Sequence, residues 1–192
     1  MKLNFRLRKV TNYAHKKISP SHEAVKQFFG KRSVEKFIQN DIANALFNEW
    51  LSFDYRNKQG TSFLAEYYLK NPDSLTNAQL SQLEQVIKSE RFEIMELLKV
   101  VRDKGISVRV VRTGEEFFVD DLSSSRSATA PSLFFNRLAR VNDKWILVGC
   151  DNISFPIGLS SEDRKQFARI LNKEKNTCKL VLDLFGDRFA TP

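Results

Sequence analysis

The chain has 192 residues, 42% of them apolar and 28% charged, with sixteen Phe and a net charge of +8. That length supports one well-buried core, or one domain with an appendage. No run approaches the roughly 20 apolar residues that cross a bilayer. No apolar stretch follows the basic start as an export signal requires, and two cysteines, Cys150 and Cys178, exclude a disulfide framework and point to reduced thiols in the cytoplasm.

The first segment carries the charge. Residues 1–36 hold ten Lys and Arg against Glu23 and Glu35, a net of +8, while the other 156 residues hold 21 bases and 21 acids. The stretches "KLNFRLRKV" and "YAHKK" interleave aromatics with bases. Phosphate neutralisation next to stacking is the combination that single-stranded nucleic acid needs. Residues 1–18 therefore read as a basic arm, with Arg6, Arg8, Lys9, Lys16 and Lys17 for phosphates and Phe5 and Tyr13 for stacking. The competing reading is a basic tail that only aids solubility.

Residues 19–90 read as a helical module. "SPSHEAVKQFFG" suggests a short helix opened by Ser19-Pro20-Ser21 and stopped at Gly30. Ser33 opens a longer helix to about Asp54, along which Phe37, Ile38, Ile42, Ala45, Leu46 and Trp50 follow helical spacing. After the polar "RNKQG", Thr61 is the expected N-cap of "SFLAEYYLK", ended by Asn71-Pro72. Thr76 and Gln79 form a capping box before "AQLSQLEQVIKSE". The stretch from Phe47 to Tyr68 holds seven aromatics and three acids. It reads as two helices that fold back across "RNKQG" and bury their aromatic faces together, with Asp54 tying down the turn.

From Phe92 the period changes. In "ISVRVV" the residues Ile106, Val108 and Val110 alternate with neighbours of mixed character, and Lys104-Gly105, Thr113-Gly114 and Asn142-Asp143-Lys144 read as turns. "EIMELLKVV" fits strand or helix. About five strands over 91–157, with the link "DLSSSRSATAPS", suggest a small antiparallel β-barrel or a curled five-stranded sheet. A C-terminal helix, opened by Ser160-Ser161 with acids first and bases last, and an apolar tail complete residues 158–192. The fold class is thus α+β: an N-terminal helical module, a small β domain, and a C-terminal helix packed on the rest.

The search for chemistry is mostly negative. His15 and His22 are the only histidines, and no spacing supports a nucleophilic triad or a zinc site. No phosphate-cradling glycine loop is present, and Cys150 lies in an apolar run. The acids Asp54, Glu66, Glu90, Glu93, Glu96, Asp120 and Asp121 have no spacing that forces convergence on a metal, so neither metal nor cofactor is expected. Arg126 in the serine link, with Arg109 and Arg137 on the strands, offers a second cationic surface.

The segments "FNEWLSFDYR", "GTSFLAEYYL", "ISVRVVRTGEEFFVDDLSSSRSA" and "SLFFNRLARV" together resemble a group of uncharacterised prokaryotic proteins, often found with a C-terminal SEC-C zinc motif. The resemblance covers roughly residues 46–157 and rests on Trp50, Phe53, Asp54, Thr61, Asp121, Leu122, Ser125, Arg137 and Leu138. The cysteine-rich tail is missing here, and Thr113-Gly114-Glu115 precedes the Asp-Leu pair rather than following it. The group implies a domain layout and no activity.

The sequence therefore leads to a non-catalytic nucleic-acid-binding protein, RNA ahead of DNA, with a protein-interaction module as the alternative and a metal-dependent nuclease using Asp54 or Asp121 as a minority reading. A membrane is not among the expected partners, and the oligomeric state is open.

Overall fold

A computed structural model describes residues 3–19, 22–30, 40–149, 153–173 and 176–189, the last five of these as backbone only. The expected cap at Ser33, the residues Phe37 and Ile38, and Cys150 lie outside the described residues. The fold is α+β, with eight helices and six strands among the described residues. The chain forms two compact units, one of residues 1–5 and 76–175, the other of residues 6–75 and 176–192. The helix opened by Thr76 thus belongs to the unit of the sheet, and the C-terminal tail to the helical unit.

The helical unit contains α1 (Arg8–His15), α2 (Glu23–Phe29), α3 (Asp41–Phe53), α4 (Phe63–Lys70) and, from the chain end, α8 (Thr177–Phe189). Their caps follow local chemistry. Asn40 Oδ1 accepts from the backbone N–H of Ile42 and Ala43 and starts α3. Ser62, not Thr61, caps α4, its hydroxyl accepting from Ala65 N–H at 3.2 Å. Asn71 ends α4 in the left-handed region, φ 40°. The tail, open between helix and strand in the sequence, is helical.

The core of this unit is aromatic. Phe28 packs on Phe29, Phe47 and Trp50 with ring centroids 5.1–5.4 Å apart. Phe47, Trp50, Leu51, Phe63, Leu64 and Tyr67 are all buried, as the hairpin reading requires. The mode of packing differs from the expectation. Phe47 and Trp50 meet α2, and Tyr55 from the turn stands between the two helices, 5.3 Å from Trp50 and 5.9 Å from Phe63. The turn itself is closed by Asn57, whose Oδ1 accepts from Gln59 and Thr61 N–H, both at 3.0 Å. Asp54 also receives the Cys178 thiol of α8 at 3.9 Å.

The other unit begins with α5 (Asn77–Ser89), and here the capping box of Thr76 and Gln79 is present as the sequence predicts. Six strands follow: β1 (Arg91–Val101), β2 (Gly105–Val110), β3 (Glu116–Val119), β4 (Ser132–Val141), β5 (Lys144–Leu147) and β6 (Ile153–Phe155). The short helix α6 (Ser124–Ser127) lies in the serine link, and α7 (Ser161–Lys173) follows the sheet. "EIMELLKVV" is strand, inside β1.

The sheet is mixed, in the order β1-β2-β3-β5-β4-β6, and an added β1–β4 pairing links five strands in a ring. This is one strand more than the sequence suggests, and the β3–β5 contact is parallel, through Val119 and Trp145. Inside lie Met95, Leu97, Ile106, Val108, Val110, Val119, Phe134 and Leu138. The β4–β5 hairpin turns through Asn142 (φ 47°) and Asp143 (φ 61°), and two successive positive φ values give the twist that a tight hairpin needs. Gly105 is required by crowding: a Cβ there would lie 2.1 Å from the Val119 carbonyl oxygen.

Candidate functional site

The expected arm is folded. Leu7, Val10, Thr11 and Ala14 recur at helical spacing, and the last three are buried. An eight-residue helix is marginal alone, so docking holds it. Thr11 and Ser52 share a hydroxyl hydrogen bond at 3.1 Å, and Tyr13 meets Tyr67 edge-on at 5.6 Å. The charges of this segment dominate its composition, and the apolar stripe beneath them is what docks it.

Folding sorts the predicted residues. Arg6, Arg8, Lys9, Lys16 and Lys17 are exposed, together with Asn12 and His15. No acid occurs within α1. Lys9 pairs with Asp73 at 3.0 Å. Arg8 and Lys16 form no ion pair among the described residues. The two stacking candidates are committed elsewhere. Phe5 is 9% exposed. The Tyr13 hydroxyl donates to Glu66 at 3.0 Å.

Glu66 is the hub of a second feature that sequence reasoning missed. Its Oε1 accepts from Tyr13, from Lys17 at 2.7 Å and from Lys70 at 2.6 Å, while Oε2 accepts from Asn57 Nδ2 at 3.3 Å. Burial works to raise its pKa, but the bonds from Lys17, Lys70 and Tyr13 outweigh that and hold the carboxyl down at about 2. The Lys17 ammonium is correspondingly raised, chiefly by Glu66 and then by Tyr13, over whose ring it sits 4.6 Å from the centroid.

Beside this hub lies a groove of about 660 Å³. Lys17, Lys58 and Lys70 line it with His22, Glu23 and Glu66, and Tyr55, Phe63 and Leu69 give it apolar wall. His22 Nδ1 accepts from Ala24 N–H at 3.1 Å. A neutral His22 therefore carries its proton on Nε2 and offers a donor there. A polar turn closed by its own Asn and flanked by Lys58 and Lys70 was the available sequence signal.

The strand arginines are engaged in the sheet unit. Arg137 is 1% exposed, ion-paired with Glu90 and 5.8 Å from the Phe92 ring. That burial corrects its place on a cationic surface. Arg109 donates to Glu116 at 2.8 Å through Nε and lies 3.6 Å from Glu96. Arg126 donates to Asp103 at 2.6 Å, and both partners are more than half exposed. In the same link, Asp121 accepts from Ser124 N–H at 2.6 Å and Ser125 donates to the Leu122 carbonyl, so these resemblance positions serve the turn.

Glu93 stands between Arg91 at 3.7 Å and Arg112 at 3.9 Å, and its Oε2 makes no hydrogen bond among the described residues. Burial pushes its carboxyl pKa up, against the pull of Arg112 and Arg91. Among the described residues no three His, Cys, Asp or Glu side chains gather as a metal site, and no helix is long and apolar enough to cross a membrane.

No protein-family model matches the chain, and neither the curated proteins nor the solved structures include a match to it.

Proposed function

We propose that this chain is a non-catalytic nucleic-acid-binding protein whose phosphate contacts run along the solvent face of α1. The observation that carries this is the run of exposed bases on and just beyond an acid-free helix, of which Arg8 and Lys16 form no ion pair among the described residues, Lys16 feeling Asp73 only at longer range. Arg6 precedes this face, and Lys9 and Lys17 flank it. A cation already matched inside a protein has less to gain from phosphate than one that is not. The helical unit as a whole carries fourteen Lys and Arg against nine Asp and Glu, a net of +5.

The interface is narrower than the arm of the sequence reading. Phe5 and Tyr13 are spent on packing, and Arg137 is buried, so the reading rests on Arg6, Arg8, Lys9, Lys16 and Lys17. Binding is then electrostatic, with little preference for sequence.

The test is the affinity for single-stranded RNA and for duplex DNA as salt rises, for the wild type and for Arg8→Glu with Lys16→Glu. Three or four phosphate contacts give a slope of log affinity on log salt of about −2 to −3 for a single strand. The double reversal is expected to weaken binding at least tenfold. No binding at low salt, or equal binding by wild type and variant, would overturn the reading.

A further inference from the structure

The groove of the helical unit begins at Lys17, two residues beyond the end of α1. Its volume of about 660 Å³ falls within the range of small-ligand pockets. Among its lining side chains three ammonium groups face two carboxylates, Glu23 and Glu66, so the excess charge is positive. Glu66 is also saturated, accepting from Tyr13, Lys17, Lys70 and Asn57. It fixes Lys17 and Lys70 in place, while Lys58, the groove lysine with no ion pair among the described residues, has the most to gain from a phosphate. Each ammonium has three N–H donors, so both keep donors beyond the one given to Glu66. Lys58 comes from the turn that Asn57 closes, which makes that position preformed as well.

The rest of the lining is neutral and mixed. Leu69 is 74% exposed and forms the open apolar wall, Tyr55 and Phe63 lie buried behind it, and His22 Nε2–H and Thr61 add polar groups. An anionic head with an apolar, hydrogen-bonding body matches this wall. We infer that the groove takes one nucleotide bearing a terminal phosphate monoester, with the phosphate on Lys17, Lys58 and Lys70 and the nucleoside against Leu69 and the polar lining of His22 and Thr61. A monoester carries a charge of about −1.5 to −2 at neutral pH, where an internal diester carries −1, so clustered lysines favour a strand end over the middle of a strand. This inference rests on the nucleic-acid reading and deepens it: α1 meets the backbone, the groove its phosphorylated end.

Calorimetry with AMP, adenosine and inorganic phosphate tests the groove without any strand. AMP is expected to bind saturably and at least tenfold tighter than adenosine. Lys58→Glu should lower AMP affinity at least tenfold. Lys70→Gln, at a side chain 59% exposed, should lower it several-fold at the cost of only a small drop in the thermal midpoint, from the lost bond to Glu66. The Arg8→Glu, Lys16→Glu variant should bind AMP as the wild type does, which separates a failure of the groove from a failure of α1. With oligonucleotides, a phosphorylated end should tighten binding in the wild type and leave Lys58→Glu unaffected. AMP binding no tighter than adenosine, or equal AMP affinity in wild type and Lys58→Glu, would overturn the inference.

Discussion

Arg164 of α7 grips Glu96 of β1 with two parallel hydrogen bonds, Nε to Oε2 at 2.6 Å and Nη2 to Oε1 at 2.9 Å. Glu96 side-chain exposure is 10%, and Arg109 also lies 3.6 Å from its Oε2. Glu96 raises the Arg164 pKa, so the guanidinium keeps its charge. Removing the fork leaves a mostly buried carboxylate short of donors. Arg164→Ala is expected to destabilise the sheet unit by about 1–3 kcal/mol and to raise amide exchange across Ser161–Lys173. Arg164→Lys keeps the charge but loses the fork and should recover only part of this. Unchanged exchange in α7 would show that its apolar contacts alone hold it.

Glu66 supplies a pH test in the helical unit. Its folded-state pKa, about 2, lies below the ordinary carboxylate value. Its stabilisation is therefore present above the unfolded pKa and is lost as pH falls from about 4.5 towards 2. Glu66→Gln should cost on the order of 1–2 kcal/mol at pH 7, allowing for the solvent exposure of its partners. The gap to wild type should shrink steadily below about pH 4.5 in urea titrations. A constant gap across that window would mean that the loss comes from shape rather than charge.

Glu93 has the opposite sign. Its pKa is raised by burial, so the folded state holds the proton more tightly than the unfolded chain does. Its ionisation costs stability as pH climbs through the usual carboxylate range and beyond. Glu93→Gln removes that cost and keeps the shape. The variant should match the wild type at pH 4 and equal or exceed its thermal midpoint at pH 8. A large loss at pH 8 would instead assign net stabilisation to the contacts with Arg91 and Arg112 at 3.7 and 3.9 Å.

Gly105 tests the closeness of β2 and β3. A methyl group there would meet the Val119 carbonyl oxygen at 2.1 Å and the Phe118 ring at 2.7 Å. Phe118 is half-exposed and can turn away, but the carbonyl belongs to the backbone. Gly105→Ala should cost about 2–3 kcal/mol and perturb the amide signals of Glu116–Val119 before those of β4. A cost below 0.5 kcal/mol would mean that the two strands part easily.

Local chemistry made much of this architecture readable. Thr76 with Gln79, Asn142 with Asp143, and the Ser160–Asp163 start of α7 each act within four residues, and each stands where the sequence put it. Ring closure by β1 and β4 is not local. It pairs Arg91 with Leu138 and Leu97 with Ser132, and alternation within one strand carries no information about its partner. The site divides in the same way. The cations of α1 were visible as composition. Their commitments were not, because Lys9 meets Asp73, and Lys17 meets Glu66, only after the chain has folded back on itself. Arg137 shows the limit most plainly. On a strand it counts as surface charge until Glu90 and Phe92 close over it.

The ring of strands is also not uniform around its circumference. β1 and β4 share seven register pairs, whereas β3 and β5 meet at one, Val119 with Trp145. Next to it are the Asp120 N–H donation to the Trp145 carbonyl, the stacked Phe117 and Trp145 rings at 5.0 Å with Arg91 above them, and the Lys144–Asp120 ion pair. The circle is therefore fastened by side chains at the place where main-chain pairing is thinnest. The hairpins on either side, β2–β3 and β4–β5, hold by their own register pairs. Trp145 is the residue through which the ribbon of strands meets itself as a hoop.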